Sequence, residues 1–215
     1  MKQHLIFDLD GTLIDSAPSI LHCFGLAFSS TNTPLAAPLT QDVIGPPLME
    51  TLKRLAGSED TTLLNTLAAA FKQHYDTTGY QQSVVFEGVA SMLQQLQAQG
   101  YQLYIATNKR YFPTEKIMAH LAWKPLFTGI YALDYFHPAL KTKAEMIGRV
   151  VAEHGLPTKE CLYIGDRLED GQSADANQMD FALVSWGYAG DVAQCKPYWY
   201  RCAQVEALPD LVATL

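Results

Sequence analysis

The chain of 215 residues is long enough for one large domain, or for one domain carrying a modest insertion. With 48% hydrophobic and 17% charged residues it is not a disordered chain, and a net charge of −7 argues against a nucleic-acid partner, because phosphate-backbone binding needs a basic surface. No apolar stretch reaches membrane-spanning length and no signal-type segment precedes the first strand pattern. The four cysteines, Cys23, Cys161, Cys195 and Cys202, have neither zinc-site nor redox-pair spacing, so the expectation is free thiols in a reducing cytoplasm.

The chain opens on Gln3 to Phe7, whose apolar run Leu5-Ile6-Phe7 reads as the end of a buried strand. Asp8 and Asp10 follow, two residues apart, so in extended chain their side chains leave on the same side. Gly11 then lets the chain turn sharply. Like charges resist being held together at a strand end without a cation or a shared proton. The arrangement makes chemical sense if one acid is a nucleophile, the other handles a proton and a metal ion sits between them. An Asp-Gly turn alone would need neither the second acid nor the following Thr12, Asp15 and Ser16.

Residues 16–85 show no convincing strand and read as helices over 16–31, 46–56 and 61–78, separated by Pro34, Pro38, Pro46 and Pro47. Leu63, Leu64, Leu67, Ala68 and Phe71 form a helical stripe suited to a bundle core. From Val85 the pattern alternates. Helices are expected over 88–99, 113–122, 142–154 and 169–178, and strands over 101–106, 129–133, 161–164 and 181–184. Repeated strand–helix units imply a parallel sheet covered on both faces. Asp8 and Asp10 then lie at the carboxyl end of the first strand, where ligands bind in open α/β sheets. The helical block enters between the first strand and the rest, so it is an insertion.

The run Asp8-Leu9-Asp10-Gly11-Thr12-Leu13-Ile14-Asp15-Ser16 closely resembles the first motif of the haloacid dehalogenase superfamily, Asp-x-Asp-Gly-Thr-Leu-x-Asp-Ser. The resemblance spans essentially the whole chain and is specific in four short motifs. It implies an α/β fold, a three-layer Rossmann-like parallel sheet core with an inserted α-helical cap domain. Residues 1–15 and 86–215 would be the catalytic core and 16–85 the cap. A strand-end hydroxyl followed by turn amides can hold a phosphoryl oxygen. Thr107, with Asn108 and Lys109, resembles the second motif in the Thr-Asn-Lys form of phosphoglycolate-phosphatase-like members. The third motif calls for a lysine at a helix start, neutralising the nucleophile and the transferring group. Lys141 and Lys143 both qualify, and Lys143-Ala144-Glu145-Met146-Ile147 is the better match to the Lys-Ala-Glu-Leu-Ile of some relatives. In the fourth motif Asp166 fits as a ligand to a hard cation, with Asp170 as its partner. Gly171 stands where relatives usually have an apolar residue, and Arg167 where many have Thr or Ser; Arg167 is expected to pair with a neighbouring acid. Trp186-Gly187-Tyr188 also resembles relatives and is read as a core aromatic without chemistry.

The resemblance implies phosphoryl transfer through an aspartyl-phosphate, with Asp8 as nucleophile and Mg²⁺ held by the Asp8 carboxylate, the Asp10 backbone carbonyl and the Asp166 carboxylate. Asp10 would protonate the leaving alcohol and later accept a proton from water. Thr107, the Asn108 amide and Lys143 would hold phosphoryl oxygens, and the cap would close over the site. An acid at position 10 counts against dehalogenase and phosphonatase chemistry. Asp-Gly-Thr, where β-phosphoglucomutase-like members usually have Asp-Gly-Val, favours hydrolysis over a mutase. The non-enzyme alternative is a catalytically silent binding or regulatory protein of this fold, and intact Asp8, Asp10, Lys143 and Asp166 argue against it. The resemblance implies a small phosphorylated metabolite as the partner. The insertion carries only Lys53, Arg54 and Lys72 against five acids, a poor match for a highly anionic leaving group. Ile44-Gly45-Pro46-Pro47-Leu48 nevertheless resembles the Gly-x-Pro-Leu turn of phosphoglycolate-phosphatase-like members. Phosphoglycolate therefore leads, its carboxylate bound by Arg54 or Lys109, with a sugar phosphate, a nucleoside monophosphate and pyrophosphate as further candidates. The oligomeric state stays open.

Overall fold

The computed structural model describes residues 1–188 and 195–215. In chain order, β1 (His4–Phe7) leads into β2 (Ile14–Asp15) and three helices, α1 (Ala17–Ser30), α2 (Leu48–Ala56) and α3 (Thr61–Tyr75). Then come β3 (Val84–Val85), α4 (Val89–Ala98), β4 (Gln102–Thr107), α5 (Tyr111–His120), β5 (Gly129–Ala132) and α6 (Lys143–His154). The chain closes with β6 (Cys161–Gly165), α7 (Leu168–Ala176), β7 (Asp180–Val184), β8 (Tyr200–Cys202) and α8 (Leu208–Ala213). Among the described residues no helix is long and apolar enough to cross a membrane.

Six strands form one sheet in the order β5-β4-β1-β6-β7-β8, with every neighbouring pair parallel. Side chains alternate across it. Leu5 and Phe7 enter a core shared with α4, α5 and α8, while Ile6 faces the opposite core under α6 and α7. This is the three-layer α/β arrangement expected of alternating strands and helices. Phe7 is level with Ile105 on one side and Ile164 on the other. That register brings the segments following β1, β4 and β6 out side by side at one edge of the sheet.

The helices α1 to α3 pack around a core of their own, in which Phe24, Leu52, Leu67 and Phe71 are buried. Phe24 stacks on Phe71 with ring centres 4.4 Å apart, and Phe71 on Tyr75 at 5.3 Å. Two chain crossings join this block to the sheet domain, and they pair with each other as the antiparallel ribbon of β2 and β3, Ile14 opposite Val85.

Two features depart from the sequence reading. The segment 16–85, read as strandless, ends in β3. The sheet does not stop at β7, because β8 adds a sixth strand and α8 a further helix. Both strands are two or three residues long, too short to show a period, and are defined by the partner beside them.

Candidate active site

Asp8 leaves the end of β1 with its amide bonded to the Ile164 carbonyl of β6 at 2.9 Å. Gly11 takes φ +83°, which turns the chain back beneath the site, and a side chain there would run into Asp166 and Tyr188. Asp8, Asp166 and Asp170 each bring a carboxylate oxygen into a group spanning at most 4.8 Å, and all three residues are buried. Thr12 Oγ1 donates to Asp166 Oδ1 at 3.1 Å and the Tyr188 amide to Asp166 Oδ2 at 2.8 Å. The Arg167 amide donates to Asp170 Oδ2 at 3.0 Å. Burial, with Asp170 and Asp8 close by, pushes the Asp166 carboxyl up to about 8. Burial likewise pushes Asp8 up to about 6, against the pull of Lys143.

Lys143 is the first residue of α6. Thr142 accepts from the Glu145 amide at 3.1 Å, and Glu145 accepts from the Lys141 amide at 2.9 Å. These two bonds, one at the N-cap and one at the residue before it, fix the start of the helix at this point. Its ammonium lies 2.6 Å from Asp170 Oδ1 and 3.1 Å from Asp8 Oδ1. The Asp8 contact is an ion pair without hydrogen-bond geometry, so Asp8 Oδ1 is a buried oxygen lacking a donor. Burial works against the charged ammonium, but Asp170 and Asp8 outweigh it and hold Lys143 well above the usual lysine value. Lys141 is exposed.

Asp10 faces a different partner. Lys109 donates to both of its oxygens, at 2.9 and 3.0 Å, and Ser16 Oγ to one of them at 2.5 Å. The Asp10 side chain therefore stands apart from the three-carboxylate group. Lys109, expected as a possible carboxylate anchor, is paired with Asp10 instead, and Arg54 spends a bond on the Asp42 carbonyl at 3.1 Å. Thr107 is buried at the end of β4, accepting from the Lys109 amide at 3.3 Å. Asp8, Asp10, Thr107 and Asn108 line one cavity whose opposite wall is the helical insertion. A neighbouring cleft runs past Asp8, Asn108, Lys143 and Asp170 to Arg54.

Three residues do more than the sequence suggested. Arg167 lies 4.0 Å from Asp166, a long ion pair, while its Nη2 donates to the carbonyls of Gln41 at 2.8 Å and Ile44 at 2.9 Å. Asn108 Nδ2 donates to the Gly45 carbonyl of the same turn at 3.0 Å. Two side chains flanking the acids thus grip one turn of the insertion. Tyr188, read as a core aromatic, also accepts at its hydroxyl from the Ser16 and Ala17 amides and donates to Asp15 Oδ1 at 2.8 Å. It ties Asp166 to the start of α1. Its match to relatives was the available signal, but nothing local revealed partners more than 170 residues away. Gly171 has a plain cause. A Cβ there would fall 2.5 Å from the Trp199 ring, so no side chain fits unless that ring moves.

Three buried carboxylates, with one buried oxygen lacking a hydrogen-bond donor, suit a hard divalent cation, which would offset their mutual repulsion, so these residues fit Mg²⁺. The family model described as haloacid dehalogenase-like hydrolase matches residues 5–184, and the chain belongs to that family. It is similar to a 5′-nucleotidase of Pseudomonas aeruginosa, 29% identical over 95% of this chain and 93% of that protein. It is similar also to a phosphoglycolate phosphatase of Rhodobacter capsulatus, 30% identical over 99% of this chain and 97% of that one. The structure of a predicted phosphatase from Clostridium acetobutylicum superposes over all of both chains with a TM-score of 0.88 at 22% identity, a likeness of fold. The protein is thus a haloacid dehalogenase-like hydrolase.

Proposed function

We propose that the protein is a Mg²⁺-dependent phosphomonoesterase that works through an aspartyl-phosphate on Asp8. The observation that carries this reading is the meeting of Asp8 with Asp166, Asp170 and Lys143, while Asp10 faces the same cavity. Asp8, Asp166 and Asp170 would hold the cation, with the Asp10 backbone carbonyl beside them. Mg²⁺ bound there would offset charge on the phosphoryl oxygens and favour the ionised carboxylates.

Asp8 attacks phosphorus in line, and the bond from phosphorus to the alcohol oxygen breaks as the acyl phosphate forms. Asp10 supplies the proton to the departing alcohol and takes one from the water that attacks the acyl phosphate. Lys143, between Asp170 and Asp8, keeps the nucleophile ionised and offsets charge in the transition state. Thr107 and the Asn108 amide hold phosphoryl oxygens. The insertion 16–85 acts as a cap that excludes bulk water. Relatives named phosphoglycolate phosphatase support that substrate, and the relative named 5′-nucleotidase supports a nucleotide.

The test is phosphate release from p-nitrophenyl phosphate. Release should require Mg²⁺, stop in excess EDTA, and fall by several orders of magnitude in Asp8→Asn, whose amide fills the same space but cannot attack. Full activity in EDTA would refute the metal. Activity of Asp8→Asn within about tenfold of wild type would refute the nucleophile. Binding of phosphate esters without any release would favour the silent binding protein.

A further inference from the structure

The cavity that holds Asp8 and Asp10 has two unlike ends. Its floor is polar, with the two acids, Thr107 and Asn108. Its far wall, where the alcohol part of an ester would lie, comes from Ile20, Phe24, Val43, Ile44, Phe71 and Tyr75, each no more than 8% exposed. Among the described residues two cations line this cavity, Lys109 and Arg110, and both are committed. Lys109 is held by both oxygens of Asp10, and Arg110 by both oxygens of Asp76. Residues 189–194 contain no Lys or Arg. Arg54 lies in the neighbouring cleft. Apart from Asp8, the buried polar atoms of the lining without a partner are neutral, the Tyr75 hydroxyl and Asn108 Oδ1.

An anionic substituent beside the phosphate would leave water for a wall of stacked rings and aliphatic groups with no free counter-charge. To gain one it would have to compete with Asp10 for the Lys109 ammonium, which already holds both oxygens of that side chain. We propose that this cavity selects phosphate esters of uncharged, largely apolar alcohols and disfavours esters that carry a second anion on the leaving group. The proposal rests on the phosphatase reading and parts from phosphoglycolate as the substrate.

The test compares kcat/KM within matched pairs in the Mg²⁺-loaded enzyme: ethyl phosphate against 2-phosphoglycolate, and phenyl phosphate against 4-carboxyphenyl phosphate. The uncharged member of each pair should lead by about 10²-fold, the size of an unpaired charge left in an apolar site. The variant Ile20→Lys puts a cation on the apolar wall, and should move the ratio towards 2-phosphoglycolate by about tenfold or more. The wild-type comparison stands alone if that variant fails to fold. Equal or better turnover of the carboxylated esters by the wild type would overturn the leaving-group assignment while leaving the phosphatase intact. No release from any ester would overturn the phosphatase reading, and this proposal with it.

Discussion

The Lys143 ammonium sits between two buried carboxylates, 2.6 Å from Asp170 and 3.1 Å from Asp8, while Lys141, two residues earlier, is exposed. In the proposed mechanism a cation so placed would offset charge where phosphorus is attacked. Lys143→Ala is expected to lower kcat by about 10²–10³-fold, the range of preorganised electrostatic groups. Lys141→Ala should be nearly normal. Steady-state kinetics on both variants, with circular dichroism to confirm folding, decides. The reverse pattern would move the electrostatic lysine to the exposed position.

Acidity at the site sets a dependence of stability on pH. Asp166 is pushed up to about 8 and Asp8 to about 6, both above the ordinary carboxylate value of 3.8 that they regain on unfolding. Between these limits the folded chain binds more protons than the unfolded one, so stability falls as pH rises. Their contribution is fully present below about pH 4 and is lost as pH passes about 6 and then about 8. Mg²⁺ held by these acids as proposed would take the ionised forms, so its stabilisation should grow over the same window. Thermal unfolding in EDTA and in Mg²⁺, at about pH 5 and about pH 9, measures both trends. A Mg²⁺ shift equal at the two pH values would contradict the assignment of these acids.

Arg167 joins the acid cluster to the insertion through the carbonyls of Gln41 and Ile44. Its loss should loosen that turn while leaving the acids in place. Arg167→Ala is expected to raise KM by roughly tenfold with a smaller change in kcat, as two charge-assisted bonds at a partly exposed site would predict. Amide exchange in residues 41–45 should quicken. A large fall in kcat with unchanged exchange would show that Arg167 acts on the acids instead.

Gly171 marks a packing constraint. A Cβ there meets the Trp199 ring at 2.5 Å and Phe181 at 2.8 Å. Gly171→Leu should cost about 2–3 kcal/mol through overpacking and lower Tm by roughly 5–10 °C. A scanning calorimetry trace with unchanged Tm would mean that Trp199 has room to move aside.

The sequence by itself determined the parallel α/β core, the position of the helical insertion, and the acids Asp8, Asp10, Asp166 and Asp170. Each of these is written in neighbouring residues, since an apolar run ending in acids and glycine is at once a strand and its terminus. Tertiary structure decided the partners. Lys143 rather than Lys141 reaches Asp8 because α6 begins at Lys143, capped by Thr142, and docks against α7, β4 and β5. Lys109 meets Asp10 across 99 residues, and Arg167 meets Gln41 across 126. Those distances close only through the β4-β1-β6 register and the seating of the insertion on the sheet edge. The cavity's charge balance was equally hidden. A lysine in a sequence is a free cation until the fold sets a carboxylate against it, and in this cavity the fold has set Asp10 against Lys109 and Asp76 against Arg110.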